Sequence, residues 1–200
     1  MLEIALTGNR FTGKDYVAAK FRNLGIPVFD ADVVLKFIIN QRFYFHETLK
    51  KELGKNPFFN GFINPGMIRD DKEFDIVINQ VEEELFLSYD RFRKHETYPY
   101  CVFLSSLLYE RKWNEKFDII INTFAPNDDR AFRAKCEYGI TYVEFFNAIK
   151  TEFSQYKKNE MANHVLHSYK GGFLLEESII KIDETIKEKI KKLYSYASRG

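Results

Sequence analysis

The chain opens on a short apolar run, Ile4-Ala5-Leu6, that stops at Thr7-Gly8, which suits a buried strand and is too short for a helix. Beyond a glycine-bearing loop, Val17, Ala18, Phe21 and Leu24 recur at helical spacing, and Gly25 follows as a stop signal. Pro27-Val28-Phe29 reads as a second strand running into Asp30-Ala31-Asp32, and Val33, Val34, Phe37 and Ile38 begin another helix. Strand, helix, strand, helix within about forty residues is the rhythm of a parallel α/β sheet.

The middle of the chain is less regular. Residues 43–63 scatter Phe and Tyr around Gly54, Pro57 and Gly61, and read as a helix followed by a loop. Asn64-Pro65 has the form of a helix start with proline at the first position. Phe74, Val77, Val81 and Leu85 then stripe one face of a helix reaching about Arg93. The α/β rhythm returns with apolar runs at Cys101–Leu104 and Phe117–Asn122, read as strands, with Ser105–Glu110 following the first. Asn127 is positioned to cap a helix ending near Gly139, and Thr141 with Glu144 has capping-box spacing ahead of Phe145, Ile149 and Phe153. His164–His167 reads as a last strand. Ile179, Ile182, Ile186, Ile190 and Leu193 mark a closing amphipathic helix.

Composition narrows the class of partner. With 200 residues, 45% of them hydrophobic and 30% charged, the chain is long and apolar enough for one core without staples. A net charge of +1 leaves no broad basic field, so neither nucleic acid nor a membrane surface is expected as a partner. No run approaches the roughly 18 apolar residues of a membrane helix, and the first residues have neither a basic leader nor a signal-peptide core. Cys101 and Cys136 fit no metal spacing and no disulfide framework, and read as reduced thiols of a cytoplasmic protein. His164 and His167 fall on opposite faces of their strand, which argues against a metal pair. Nothing in the pattern sets an oligomeric state.

The chemistry concentrates after the first strand. Gly8-Asn9-Arg10-Phe11-Thr12-Gly13-Lys14-Asp15 joins strand to helix and carries Gly-x-x-x-x-Gly-Lys, the phosphate-loop (P-loop) pattern, in the context that gives it weight. The glycines let backbone N–H groups turn toward phosphate oxygens, and the helix N-terminus adds a partial positive charge. Lys14 is placed to reach the β- and γ-phosphates of ATP. Asp15 stands where the pattern has Ser or Thr; its carboxylate can ligate Mg²⁺, but without metal it would repel phosphate by roughly 4 kcal/mol at about 4 Å. Asp15 therefore predicts either stricter metal dependence or weaker nucleotide binding. Asp30 and Asp32 follow the second strand, at the edge where a parallel sheet places ligands. Either can orient an acceptor hydroxyl and take its proton, or help hold Mg²⁺; Asp30 equally suits a helix N-cap. Arg130, Arg133 and Lys135 share one helix, as phosphate contacts or as a solvated face.

Ile4–Gly8, the loop through Lys14, Val17–Phe21 and Leu24–Asp32 together resemble the N-terminus of the dephospho-CoA kinase family. The resemblance implies a three-layer α/β P-loop kinase fold, with about five parallel strands, a helical substrate-binding insertion and a helical lid. On this chain it implies a single kinase domain with its core at 1–35, 98–126 and 162–200, the insertion at about 36–97, and the lid at about 127–160. It implies MgATP-dependent phosphorylation of the ribose 3′-hydroxyl of dephospho-CoA, the last step of coenzyme A synthesis, with a nucleotide and a small molecule as partners. Tyr100–Glu110, which includes Leu107, resembles a family strand followed by Pro-Leu-Leu-Phe-Glu, with Ser106 in place of the proline. Arg133 falls on an expected lid arginine, and the loop from His167 resembles the adenine-side segment. The implied roles are Lys14, Asp32 and Arg133 in catalysis, Gly8 through Asp15 on ATP, Asp30, Asp32, Arg69 and Leu107 on the acceptor, and Asp15 with Asp32 on magnesium.

The departures from the family are specific. Asn79-Gln80 stands for a His-Pro pair, Glu137 for a second lid arginine, and arginines near Asn64–Gly66 are missing although Arg69 remains. Lost cationic groups imply either a different acceptor or a slowed or absent turnover, because phosphoryl transfer depends on positioning and electrostatics. Two other readings follow: a nucleoside or deoxynucleoside monophosphate kinase, and a degenerate kinase retained as a nucleotide-binding or interaction protein.

Overall fold

In the computed structural model, residues 2–41, 43–64, 67–68 and 70–197 are described. In chain order they form β1 (Glu3–Gly8), α1 (Lys14–Asn23), β2 (Val28–Asp30), α2 (Ala31–Gln41), α3 (Phe43–Leu53), β3 (Phe58–Phe59), β4 (Phe62–Ile63) and α4 (Asp71–His95). The second half adds β5 (Cys101–Leu104), β6 (Ile119–Phe124), α5 (Asn127–Tyr138), α6 (Tyr142–Ala148), α7 (Gln155–Met161), β7 (His164–His167) and α8 (Gly172–Ala197). They divide into two compact units, Met1–Phe29 with Glu96–Gly200, and Asp30–His95. The sequence-based insertion spans 36–97, so the second unit begins earlier, at the residue that closes β2.

In the first unit the strands lie in the order β2-β5-β1-β6-β7. β1 pairs in parallel with β5 and β6, setting Ile4 beside Val102 and Ile119, and β6 pairs in parallel with β7. The chain leaves central β1 toward one side of the sheet and returns to build the other, so the carboxyl end of β1 is a topological switch point, where open α/β sheets bind ligands. The sheet needs a helical layer on each face because its central strands are buried along nearly their whole length. Ile4, Leu6, Val102 and Ile121 pack with Val17 and Phe21 of α1 and Ile179 and Ile186 of α8. Phe103 instead meets Phe29, Trp113 and Phe117. Buried Asp183 anchors α8 by accepting from Tyr100 Oη at 2.8 Å and from Lys187 Nζ at 2.8 Å.

Several expectations shift by a few residues. β6 runs to Phe124 rather than ending at Asn122. α5 is preceded by Pro126, and Asn127 is its first residue, not its cap, because the Asn127 carboxamide oxygen is taken by Arg130 and Gln155. The Thr141–Glu144 capping box forms as its spacing predicts. Leu24 and Leu193 keep the helical period but lie exposed.

The second unit holds α2, α3, α4 and a hairpin of β3 and β4 where the sequence suggested loop. Asn60 and Gly61 both take positive φ, 51° and 81°, the type I′ turn that an Asn-Gly pair favours. Asn40 fastens the hairpin to α2: its Oδ1 accepts from Ile63 N at 2.8 Å while its Nδ2 donates to the Lys36 carbonyl at 2.8 Å. α2 buries Leu35, Ile38 and Ile39 and exposes Val33 and Phe37. α4 starts at Asp71, capped by Asp70 accepting from Glu73 N at 3.0 Å, rather than at Asn64-Pro65; Pro65 lies outside the described residues. Val77, Val81 and Leu85 of its stripe are buried. Among the described residues no helix is long and apolar enough to cross a membrane.

The two ends of β7 supply a test of packing. Burial lowers the imidazole pKa of His164 and of His167 below the ordinary 6.5, helped by Lys189 and Lys170 respectively. The unfolded chain then binds more protons below that value, so stability is present above it and lost as pH falls through the folded values. Urea midpoints should decline from pH 7 to pH 5. The decline should flatten in a His164→Asn/His167→Asn protein; an unchanged slope in that variant would refute this origin.

Candidate active site

The loop from Gly8 to Lys14 sits at the switch point, between β1 and α1. Its shape depends on glycine at two places. Gly13 takes φ 82°, and a Cβ there would also meet Arg133 Nη1 at 3.0 Å. At Gly8 a Cβ would lie 2.6 Å from Thr12 Oγ1 and 2.9 Å from the Thr123 carbonyl oxygen. Phe11, at φ 61°, holds a left-handed conformation with a full side chain, which packs against Tyr138 and Phe145.

The loop carbonyls are held by named donors. Thr12 Oγ1 donates to the Asn9 carbonyl at 2.8 Å, Arg130 Nε to that of Arg10 at 2.8 Å, and Arg133 Nη1 to that of Phe11 at 3.3 Å. Ser168 Oγ donates to the Thr12 carbonyl, and Val17 N to that of Gly13 at 3.1 Å. A trans peptide directs its N–H opposite to its C=O. Fixing the carbonyls of Arg10, Thr12 and Gly13 therefore turns the amides of Phe11, Gly13 and Lys14 away from these donors. Amides turned to one side at a helix N-terminus suit the oxygens of a polyphosphate. The residues present fit that group.

Lys14 and Asp15 are paired: Lys14 Nζ lies 3.3 Å from both Asp15 carboxylate oxygens. The Lys14 side chain is largely covered and that of Asp15 largely exposed. Asp15 thus acts as the lysine's counter-ion here, and its exposed oxygens suit a hard, oxygen-seeking cation such as Mg²⁺. Arg133 reaches back from α5 to the loop, and adds Nη1 and Nη2 bonds to Ser168 at 3.1 and 3.0 Å. Lys135 lies over the Tyr142 ring instead.

Two further residues prove central: Arg130, which the sequence reads as a phosphate contact or part of a solvated face, and Glu152, to which it gives no role. Arg130 is buried and paired with Glu152, which also accepts from Asn9 Nδ2 at 3.1 Å and from Arg10 N at 3.3 Å. Arg130 is not part of a solvated face: its guanidinium is buried against the Arg10 carbonyl and Glu152. Glu152 carries no sequence signal, because its loop partners lie about 140 positions away and Arg130 lies outside its own segment, on α5.

The segment after β5 has its own buried charge. Lys158 Nζ donates to Glu110 Oε1 at 2.6 Å and to the Ser106 carbonyl at 3.4 Å. Burial lowers the Lys158 pKa, and Glu110 opposes that shift. Leu107 N bonds Ser105 Oγ at 3.1 Å, so the backbone at Leu107 is fixed while its side chain is half-buried.

In the second unit Asp30 is the N-cap of α2, its Oδ1 accepting from Val33 N at 3.1 Å, and Asp32 occupies the first turn. Gln80 Nε2 bonds Glu52 at 2.8 Å. Arg69 lies outside the described residues. The structure thus assembles Gly8–Asp15 with Arg133 in the first unit, and places Asp30 and Asp32 together at the start of α2 in the second.

Two substitutions test the loop. Gly8→Ala should destabilise the protein by about 1–3 kcal/mol in urea unfolding, since the added carbon meets backbone as well as a hydroxyl. Asp15→Ser should tighten binding of metal-free ATP about fivefold, roughly 1 kcal/mol, by freeing Lys14 from its counter-ion. Calorimetry in EDTA reads this directly, and weaker binding would contradict the assigned competition.

Comparison with known proteins agrees with the loop and the sheet. The dephospho-CoA kinase family model matches residues 2–171. The chain is 27% identical to the dephospho-CoA kinase of Aquifex aeolicus, covering 100% of this chain and 99% of that protein. It is 21% identical to that of Clostridium tetani, covering 92% and 84%. A crystal structure from Thermus thermophilus has the same fold, with TM-score 0.81 at 21% identity over 92% of this chain and 96% of that one. The Campylobacter jejuni dephospho-CoA kinase matches more loosely, with TM-score 0.55 at 12% identity over 92% and 96%. With the family model spanning most of its length, the chain belongs to the dephospho-CoA kinase family.

Proposed function

We propose that this chain transfers the γ-phosphoryl group of ATP to the ribose 3′-hydroxyl of dephospho-CoA, the final step of coenzyme A synthesis. The observation that carries the reading is the loop whose carbonyls are held outward and whose Lys14 stands at the start of α1. Its amides and Lys14 hold the β- and γ-phosphates, which spreads the charge that builds during transfer. Arg133, beside Gly13, adds positive charge at the same loop. Asp15 and Asp32 are the residues that would hold Mg²⁺, which would supply neutralisation of phosphate charge when bound. Asp32 accepts the proton of the acceptor hydroxyl as its oxygen bonds to the γ-phosphorus and the bond to the β-phosphate oxygen breaks, releasing ADP. Asp30 fixes the first turn of α2 and with it Asp32. The unit 30–95, with Arg69, and Leu107 receive the acceptor, and the segment 127–160 is the lid.

The test is ADP release from MgATP with dephospho-CoA as acceptor. Turnover is expected, with a loss of about a hundredfold or more in Lys14→Ala and in Asp32→Asn proteins. Full activity in Asp32→Asn would remove that residue from the mechanism. Release of ADP with a nucleoside monophosphate but not with dephospho-CoA would overturn the acceptor.

A further inference from the structure

Residue Arg10 of the phosphate loop is gripped through both its N–H and its carbonyl, in the two successive peptide groups that meet there, by a largely covered pair of charges. The Arg10 N–H donates to Glu152 Oε1 at 3.3 Å, and the Arg10 carbonyl accepts from Arg130 Nε at 2.8 Å. Arg130 Nη2 then bonds Glu152 Oε2, which closes the ring. Glu152 Oε2 also accepts from Asn9 Nδ2 at 3.1 Å, and Asn9 Nδ2 donates again to the Phe153 carbonyl at 2.8 Å. The Arg130 side chain is 2% exposed and that of Glu152 12%.

A buried ion pair is weak evidence for stability, since well-packed apolar residues of similar volume often serve as well. Its bonds locate its use more directly. From Arg130 and Glu152 the bonds outside the pair run to Asn9, Arg10 and Asn127, and the Arg130 guanidinium also stacks on the Phe145 ring. Two of the three hydrogen-bonded residues are in the loop. Pinning the Arg10 carbonyl decides which way the Phe11 amide faces, and pinning the Arg10 N–H on Glu152 fixes the peptide before it.

We propose that Arg130 and Glu152 are positioning residues for nucleotide binding: Glu152 holds the Asn9–Arg10 peptide and Arg130 the Arg10–Phe11 peptide in the orientations that present the loop amides to the triphosphate, and so the pair makes the shape of the loop depend on the segment 130–152. The inference rests on the loop being the ATP-phosphate site. It implies that position 152 requires a carboxylate. The Arg10 amide, the Asn9 amide and the Arg130 guanidinium are all donors, so a carboxamide would turn its own NH₂ group against one of them.

The experiment compares wild type, Glu152→Gln, Arg130→Lys and, as a control, Asp183→Asn, which loosens α8 without touching the loop. Calorimetry measures affinity for ATP and for inorganic tripolyphosphate, and a thermal melt records Tm. Glu152→Gln and Arg130→Lys should each lose tenfold or more in affinity for both ligands, and should raise the KM for MgATP without raising that for the acceptor. Asp183→Asn should lower Tm and keep both affinities. Wild-type affinity, within twofold, in both loop variants would overturn the positioning role, whatever their Tm. Failure of wild type to bind either ligand would overturn the phosphate-site reading itself, and this inference with it.

Discussion

A peptide bond cannot present its carbonyl and its amide to the same side. A loop that must offer amides to an anion therefore has to find partners for the carbonyls on its other side. In this chain five consecutive carbonyls, Asn9 through Gly13, have them. Two of the partners are local, the Thr12 hydroxyl and the first free turn of α1. The other three come from α5 and from the segment following β7, more than a hundred residues further along. The loop is thus as much a product of the second half of the chain as of its own glycines.

Buried charge in the first unit follows a single pattern: each instance ties elements that are distant in sequence. Arg130 and Glu152 join the lid segment to the loop, Lys158 joins α7 to the turn after β5, and Asp183 joins α8 to Tyr100 at the start of β5. The interior of the sheet itself is mostly aliphatic and aromatic, with the uncharged Thr7, Asn122 and Thr123 toward the carboxyl ends of its central strands. These charges sit on helices or the segments between them and reach polar groups beyond the strand ladder: the Arg10 and Ser106 carbonyls and the Tyr100 hydroxyl.

The elements legible in the sequence were those with strong local signals. The α/β rhythm, the glycine-lysine loop, the Thr141–Glu144 capping box and the buried stripe of α8 all announce themselves over a few residues. The hairpin at Phe58–Ile63 was missed because its strands are two residues each, too short for alternation to register, although Asn60-Gly61 was the available cue. Asn127 was misread as a cap since a carboxamide oxygen engaged by Arg130 and Gln155 is a tertiary fact. For the same reason Glu152 was invisible, while Lys14 and Asp15 were named at once but not as partners of each other. A pattern that tells which residues approach a phosphate does not tell which carbonyls must be held away from it.

The sheet also tapers. Its inner strands β1 and β6 run for six residues and β5 for four, while the strands at its two margins, β2 and β7, run for three and four. An unpaired margin is a template for a foreign strand, and its reach grows with its length. Margins this short give an incoming chain only one or two hydrogen bonds to gain before the backbone turns into a helix or loop. The parallel core can be long and apolar, as its burial demands, without recruiting other chains into cross-strand aggregates.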